Sequence, residues 1–320
     1  MSKEWRVPLL LFFITLVTTT LTGASYAGAG PGQWHKGLWF SIPLIAILLT
    51  HEMGHYLAAK KHNVSTSPPW FIPLPPSIGI GTLGAVIRIR EPITSRNALM
   101  EIGAAGPIMG LLVAIPVLII GVALSEVKHI PLVSHMEVIS EGNSLLYLFV
   151  KYIVHGTFLP FAGRDIMMHP VAFAGWIGLL ITMINLIPVG QLDGGHIAFA
   201  WFGDRYGSFS RKLHAFLPVF GLGVFAYVLS QDAINHSLKT SFALLTDKGS
   251  VSSHPIITAA SAAMPWFVWP LVLLVLAKIS GDVGHPPVGK DRLTRRSRII
   301  ALVTAILFLF IFMPVPMRAQ

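Results

Sequence analysis

Cysteine is absent from this chain of 320 residues, and charged residues make up only 12% of it. The missing thiols exclude disulfides, cysteine-ligated metal sites and cysteine nucleophiles. The charged fraction is about half the usual ~25%, and 53% of the residues are hydrophobic. With a mean hydropathy of +0.69, this composition excludes an ordinary soluble domain and predicts a polytopic membrane protein.

The net charge of +9 would suit a nucleic-acid partner in a soluble protein. The sequence contains no DNA- or RNA-binding motif, however, so we expect no nucleic acid. In so apolar a chain, basic loops beside a membrane surface explain the charge better. The expected surroundings are therefore a lipid bilayer.

Seven apolar runs are long enough, or nearly so, to cross a bilayer, which takes about 20 helical residues. They occupy residues 7–24, 38–58, 98–124, 170–189, 213–229, 256–278 and 299–314. A further run, residues 145–161, is interrupted by Lys151 and His155, so we expect it in the interface or re-entrant rather than spanning. With a cytoplasmic N-terminus, 16 of the 23 Lys and Arg fall on the cytoplasmic side, as the positive-inside rule requires.

The second run ends in the stretch HEMGH, close to its cytoplasmic end. His51 and His55 are four residues apart and share one helix face, where they can bind one zinc ion, and Glu52 can reach a metal-bound water. The alternative is a pair of core histidines and a glutamate bonded to neighbouring helices. Ionisable groups inside membrane helices are costly and usually functional. We predict a metal site roughly 10 Å inside the boundary marked by Lys60 and Lys61.

A catalytic zinc ion needs a third protein ligand and one open coordination position. No Glu follows Glu141, so the ligand is sought among the aspartates. Asp193 directly follows an apolar run, whereas the other late aspartates lie in or beside polar loops. An Asp before two glycines also suits a turn or a helix cap, a role that is compatible with ligation. The positive-inside assignment puts Asp193 on the same side as the two histidines, so the three can meet.

At these residues the chain resembles the site-2 proteases, a family of intramembrane zinc metalloproteases. HEMGH matches the family's HExxH, and NLIPVGQLDGG, residues 185–195, matches its NxxPxxxxDG motif. The resemblance implies that His51, His55 and Asp193 bind one catalytic Zn²⁺ ion and that Glu52 is the general base. It also implies cleavage of peptide bonds within or near the transmembrane segments of single-span proteins, trimmed beforehand by another protease.

GTLGAVIRIR, residues 81–90, is similar to the membrane-associated β-hairpin that follows the HExxH helix in family members. The resemblance implies that this hairpin, through Gly84, Ala85 and Val86, pairs with an unwound substrate as an added strand. A short surface hairpin without a binding role is the alternative. Asn185 would hold substrate backbone or the ligand loop, or would make only a structural bond between helices.

The expected fold is an all-α polytopic membrane protein with about seven transmembrane helices and a membrane-associated β-hairpin after the HExxH helix. Residues 1–320 would form a single membrane domain, in which 38–196 are the catalytic core and 197–320 add C-terminal transmembrane helices. The loop at residues 125–168 is too short for an inserted PDZ domain, and too few residues follow position 314 for a CBS domain. The resemblance is therefore to a form without either domain.

The main alternative function is a metal-binding membrane transporter or sensor, because broken helices and intramembrane charges also occur there. Glu52 beside the histidines and the lack of an evident internal repeat favour the protease. Proteases of the prenyl-protein type usually take a downstream Glu as a ligand, and none follows Glu141. A serine intramembrane protease would need a GxSG-like motif, which the sequence lacks.

Overall fold

The computed structural model describes residues 3–30, 32–129, 139–246, 255–279, 289 and 291–319. Its helices are α1 (Arg6–Tyr26), α2 (Leu38–Lys61), α3 (Arg96–Ala123), α4 (Leu145–His155), α5 (Pro170–Asn185), α6 (Asp193–Phe202), α7 (Tyr206–Thr246), α8 (Pro255–Ile279) and α9 (Arg295–Ile311). Its strands are β1 (Trp70–Pro73), β2 (Thr82–Val86), β3 (Glu126–His129), β4 (Ile139–Glu141), β5 (Arg164–Met167) and β6 (Met317–Ala319).

Helices dominate the fold, but the all-α expectation is incomplete, because the strands form three antiparallel pairs. These are β1–β2, β3–β5 and β4–β6. The last two join segments that are distant in sequence, and a short apolar segment gives no local signal for such a pairing. Only the β1–β2 hairpin corresponds to a strand predicted from the sequence.

In the part of the chain that the structure describes, five helical segments are long and apolar enough to cross a membrane. They are Arg6–Tyr26, Trp34–Lys61, Arg96–Ala123, Asp193–Gln231 and Pro255–Val275. These segments make the chain an integral, multi-pass membrane protein. Helices α5 and α9 have 16 and 17 residues and fall short of that length, so the count of seven stays a prediction. Helix α4 has 11 residues, about 17 Å of helix, which agrees with a location outside the spanning set.

The path between α5 and α7 differs from the two separate spans that the apolar runs predict. Helix α5 ends at Asn185, and α6 starts at Asp193 and leads through a short 3₁₀ turn into α7. The break between them contains Pro188, which has no N–H for a helix, and Gly190, whose φ of +59° suits glycine. An irregular loop, residues 186–192, therefore interrupts the helical path just before the predicted third ligand.

Helix α2 packs against both α3 and α5, and these three helices form the core of the molecule. Phe40, Leu44 and Trp176 are fully buried there. Glycine allows the close approach of α3 and α5, since a Cβ at Gly175 would lie 2.8 Å from the backbone of Leu118. Small residues at such contacts are typical of helix packing in membranes, where close van der Waals contact stabilises association. The core fixes α2 relative to the end of α5.

Several helix ends that carry basic residues meet at one end of the bundle, which we call the basic face. Lys61, at the end of α2, donates to Glu101 of α3 at 2.7 Å, and Arg296 of α9 lies 3.3 Å from the same carboxylate. Arg96, at the start of α3, donates to two main-chain carbonyls at the end of α6. The ends of α2 and α6 and the starts of α3 and α9 thus lie together.

The hairpin after α2 pairs Trp70 with Val86 and packs against α1 and α2. Strand β2 ends at Val86, four residues before the predicted strand does. Beyond it the main chain still runs beside residues 65–67, but only through an isolated bridge between Thr66 and Ile89 and a few single hydrogen bonds. The partner segment contains two prolines at 68–69, which have no N–H for a continuous ladder.

At the opposite end, a buried ion cluster holds α4 against β4 and β5. Lys151 is fully buried, and its Nζ lies 3.0 Å from Asp165 Oδ1 and 3.7 Å from Glu141 Oε1. The Tyr147 hydroxyl donates to the same Glu141 oxygen at 3.0 Å. Burial raises the pKa of Glu141, although the nearby Lys151 ammonium acts against that shift. The lysine that interrupts the apolar run is therefore a structural ion-pair partner.

Candidate metal centre

The two histidines of HEMGH lie on α2, on the side that faces α3 and the start of α6. Helix periodicity puts residues four apart on one face, and the His51 and His55 Nε2 atoms are 3.1 Å apart. Both side chains are buried, at 4% and 7% exposure, in a helix that is otherwise mostly apolar. The two histidines that the sequence pattern assigns to one site therefore lie side by side in the structure.

Asp193, the first residue of α6, completes a three-residue group with the histidines. Its Oδ2 lies 3.1 Å from His51 Nε2, and its Oδ1 lies 3.2 Å from His55 Nε2. One ligand atom from each of the three residues can be chosen so that all three lie within 4.8 Å of one another. Among the described residues this is the one group of three such side chains with metal-ligand spacing. The break after α5 is what brings the aspartate to α2.

The hydrogen bonding of His55 is compatible with a metal ion between these side chains. His55 Nδ1 lies 2.7 Å from the Ile102 carbonyl oxygen, which only accepts, so Nδ1 carries the proton. In the neutral imidazole, Nε2 then presents a lone pair to the Asp193 carboxylate. Two acceptors at 3.2 Å repel each other unless a positive charge lies between them.

Zinc fits this donor set. Two imidazole nitrogens and one carboxylate oxygen form a typical catalytic set, with bonds of about 2.0–2.2 Å and one position left open. Donor atoms 3.1–3.2 Å apart lie close to the spacing that such bonds impose on neighbouring ligands. The bond from His55 to the Ile102 carbonyl also supplies the outer contact that orients metal-ligating histidines.

Glycines of α3 make room for the imidazole rings, a feature that the sequence reasoning missed. A Cβ at Gly106 would collide with His55 Nε2, and one at Gly110 would lie 3.2 Å from His51 Nδ1. On α2, a Cβ at Gly54 would stand 2.5 Å from the carbonyl oxygen of Ala105. The stretch GAAGPIMG, residues 103–110, carried the signal, since glycines at helical spacing mark a close approach.

Glu52 lies beside the group but does not join it. Its side chain is buried, and the carboxylate is near enough to His55 and Asp193 to interact with their charges. On its other side lies the backbone N–H of Ile87, the residue after β2. The hairpin and the HEMGH helix therefore meet at Glu52.

Asn185, the last residue of α5, also reaches the centre. Its Nδ2 lies 3.4 Å from His51 Nε2, which places the amide at the edge of the three-residue group. Gly84, Ala85 and Val86 form the end of β2 and lead to Ile87, whose backbone N–H lies beside Glu52. Gly84 has a φ of +101°, which favours glycine, and the Val86 side chain is half exposed.

The loop before Asp193 is held by two glycines and a tyrosine. The Tyr206 hydroxyl donates to the Gly190 carbonyl at 2.9 Å, which ties the loop to the start of α7. A Cβ at Gly194 would collide with the Leu186 carbonyl oxygen, and one at Gly195 would collide with that of Gly190. The two glycines that follow the aspartate are thus required for the loop to fold onto α6. Tyr206 had no signal in the sequence reasoning.

Comparison with known proteins agrees with this geometry. The profile of peptidase family M50 matches residues 39–228, which contain α2, the hairpin and the Asp193 loop. The probable zinc metalloprotease EGY2, chloroplastic, of Oryza sativa subsp. indica is 34% identical over 172 residues, 54% of this chain and 30% of that protein. The probable zinc metalloprotease EGY1, chloroplastic, of Arabidopsis thaliana is 34% identical over 164 residues, 51% of this chain and 29% of that protein.

The matched region thus covers less than a third of the length of these relatives. No solved structure matches the chain. The profile, by contrast, covers more than half of the chain and includes every residue of the three-residue group. The chain therefore belongs to peptidase family M50, the family of the site-2 proteases, for which zinc is the expected cofactor.

Proposed function

We propose that this protein is an intramembrane zinc metalloprotease that cuts membrane-protein substrates within or near their transmembrane segments. One observation carries the proposal. The Nε2 atoms of His51 and His55 and the carboxylate oxygens of Asp193 lie 3.1–3.2 Å apart, and Glu52 is buried beside them. The three would hold the zinc ion. A transport site would need the three ligands, but it has no evident use for Glu52.

Glu52 is the proposed general base and acid of peptide hydrolysis. When bound, zinc supplies two effects: it polarises a peptide carbonyl and lowers the pKa of water to about 7 from about 15.7. Glu52 accepts a proton from the attacking water and later donates it to the nitrogen of the leaving amine, so that one water is consumed for each bond cut. Burial of Glu52 keeps bulk water from competing for that proton.

The hairpin is the proposed substrate-binding element. Strand β2 belongs to a two-stranded sheet, so one of its edges is unpaired among the described residues and can accept another strand. Such pairing would give an unwound substrate new main-chain hydrogen bonds in place of its helical ones. Gly84, Ala85 and Val86 would supply these bonds, and Ile87 would deliver the substrate to Glu52. Asn185 would hold the substrate backbone from the other side of His51.

We place the basic face on the cytoplasmic side, with a cytoplasmic N-terminus. The support is the positive-inside rule, since Lys61, Arg96 and Arg296 all meet at that face. The centre then lies roughly 10 Å inside the cytoplasmic boundary, because Lys60 follows the midpoint of His51 and His55 by seven residues of helix. Bonds near the cytoplasmic end of a substrate's span would be cut.

Two substitutions test the chemistry. Glu52→Gln preserves size and deletes the proton acceptor, so the purified variant should retain about one zinc and lose nearly all peptide-bond hydrolysis. His51→Ala removes a ligand and should lose zinc as well as activity. The measurements are metal content and cleavage of a single-span model protein in liposomes. Near-normal cleavage by Glu52→Gln would refute the base assignment, and zinc uptake into liposomes that survives Glu52→Gln would favour a transporter.

The proposed substrates are single-span proteins that another protease has already trimmed, because a bulky folded ectodomain would keep the helix from entering. A substrate must also unwind, which costs about 1 kcal/mol less for each Ala replaced by Gly and about 3 less for Pro. Placing Gly or Pro near the cytoplasmic end of a model span should therefore speed cleavage, and a Leu-rich span should slow it. Product termini mapped by mass spectrometry report the site. Cleavage confined to soluble loops would contradict the intramembrane proposal.

A further inference from the structure

An apolar groove of about 320 Å³ runs between α6 and α9 and begins at Gly194, the residue after Asp193. Its volume is at the lower end of the range for small-molecule sites, about 300–1,000 Å³. The lining includes Leu186, Ile197, Trp201, Ala301, Ala305 and Phe308. The one hydroxyl in the lining, that of Thr304, is already bonded to carbonyls of its own helix. The groove therefore suits a purely apolar occupant.

A second cavity of about 420 Å³ lies at the basic face and shares Trp201 with the groove. Arg96, Arg292 and Arg298 line it. The Arg96 guanidinium donates hydrogen bonds to main-chain carbonyls of α6. The Arg292 and Arg298 side chains are exposed, and within the described part of the chain neither guanidinium is paired with a carboxylate.

The acidic residue next in sequence does not neutralise these arginines. Both carboxylate oxygens of Asp291 are used at the start of α3, where they accept from the Ser95 hydroxyl, the Arg96 backbone N–H and the Asn97 amide. The contacts hold Asp291 away from the cavity and keep Arg292 beside it. Among the described residues, the cavity is therefore a cationic cleft whose lining contains arginines and no carboxylate.

Helix α9 connects the cleft to the groove along one stripe. Arg298, Ala301, Ala305 and Phe308 follow one another at three- and four-residue spacing, so they lie on one helix face. The ten residues from Arg298 to Phe308 rise about 15 Å. That length is half of a hydrocarbon core about 30 Å thick, which is one leaflet.

The cross-section of the groove separates two kinds of occupant. The part of α9 that lines the groove, Ala301 to Phe308, rises about 10 Å, so the groove's volume of about 320 Å³ corresponds to a cross-section of about 30 Å². A helix about 10 Å in diameter needs about 80 Å². One extended hydrocarbon chain fits such a groove and a transmembrane helix does not.

We propose that the groove and the cleft together bind one anionic phospholipid. Its phosphate lies between Arg292 and Arg298, and one acyl chain follows α9 past Ala305 into the membrane. Basic pockets between transmembrane helices are a recognised means of binding anionic headgroups. The groove also contacts Leu186 and Gly194, on either side of the loop that positions Asp193, so the lipid packs against the support of the metal centre.

The proposed binding of the headgroup in the cationic cleft is tested by measuring lipid binding to the purified full chain. This measurement does not depend on proteolysis. In detergent, phosphatidylglycerol should raise the melting temperature and appear as one bound lipid by native mass spectrometry, and phosphatidylcholine should do neither. Arg292→Gln and Arg298→Gln should each weaken binding by about fivefold. Arg295→Gln is the matched control, because Arg295 is exposed in the same helical turn and does not line the cleft.

The acyl half is tested by filling the groove. Ala305 is exposed in the groove, so Ala305→Trp should occupy the acyl position and abolish lipid binding, while Val303→Trp, on another face of α9, should not. Unchanged melting temperatures without added lipid establish that each variant is folded. Phosphatidylglycerol binding unaffected by both Arg292→Gln and Ala305→Trp would overturn the proposal. The proposal would also be overturned if inorganic phosphate raised the melting temperature as much as phosphatidylglycerol does. Crosslinking of a substrate helix to the groove without displacement of lipid would overturn it as well.

Discussion

Replacing Gly106 by alanine should empty the metal centre while the helix bundle stays folded. The new Cβ would collide with His55 Nε2 and stand 2.5 Å from the neighbouring ring carbons, Cδ2 and Cε1. Ordinary contacts at a Cβ begin near 3.4 Å, so the ring must move by at least about 0.9 Å. The clash falls on the far end of a side chain that can rotate, and the helix backbone need not shift.

The displacement is large compared with what a metal site tolerates. Ligand distances must hold to within about 0.2 Å, and the movement would also stretch the 2.7 Å bond from His55 Nδ1 to the Ile102 carbonyl. Loss of an outer contact alone typically costs about 10- to 100-fold in metal affinity. Displacement of a ligand should cost at least that much. Alanine favours the helix by roughly 0.5–1 kcal/mol over glycine. We therefore expect the substitution to leave the helix bundle folded.

Gly110→Ala is the matched control, because it adds the same methyl group to the same helix beside the other histidine. Its Cβ would lie 3.2 Å from His51 Nδ1, a distance that a shift of a few tenths of an ångström relieves. Zinc affinity should be measured by competition with a chelating dye, and folding by circular dichroism. Wild-type zinc affinity in Gly106→Ala, or an equal loss in both variants, would refute the argument that α3 glycines shape the site.

The candidate ligand residues could be proposed from the sequence because their signals are local. A window of about ten residues is enough to recognise each signal. These signals are the i, i+4 histidine pair, the adjacent glutamate and the lone aspartate after an apolar run. The positive-inside count then predicted that the histidines and the aspartate lie on the same side of the membrane. The structure brings His51, His55 and Asp193 within bonding distance of a single ion, as that reasoning required.

The supports of the site were not predictable, because their signals depend on what packs across from them. Gly106 is one of several glycines in an apolar run, and only the position of α3 against α2 reveals that His55 fills its place. The contact of the Ile102 carbonyl with His55 and that of the Tyr206 hydroxyl with Gly190 likewise depend on how distant segments pack. Hydropathy also did not separate the end of α5 from the loop that follows, since Leu186, Ile187 and Val189 are as apolar as the helix.

Two further predictions concern charged residues outside the centre. Lys151→Met should lower the free energy of unfolding by about 3–5 kcal/mol, since it leaves Asp165 without its buried partner. Lys128→Met breaks an exposed pair and should leave the free energy of unfolding nearly unchanged. Thermal unfolding in detergent compares the two variants. Asp291→Asn should loosen the segment that carries the cationic cleft. Burial raises the pKa of Asp291, but hydrogen bonds from the Arg96 backbone and its neighbours outweigh it, and the net pKa is lowered. A lowered folded-state pKa contributes stability above the unfolded pKa, near 3.8, and that stability is lost as the pH falls through the folded value. Trypsin cleavage at neutral pH should therefore be faster in Asp291→Asn than in the wild type. The protection of the segment's amides against hydrogen exchange, relative to the intrinsic rate at each pH, should fall on acidification only in the wild type. Equal cleavage rates, or the same acid dependence in both proteins, would mean that the Asp291 carboxylate does not hold this segment in place.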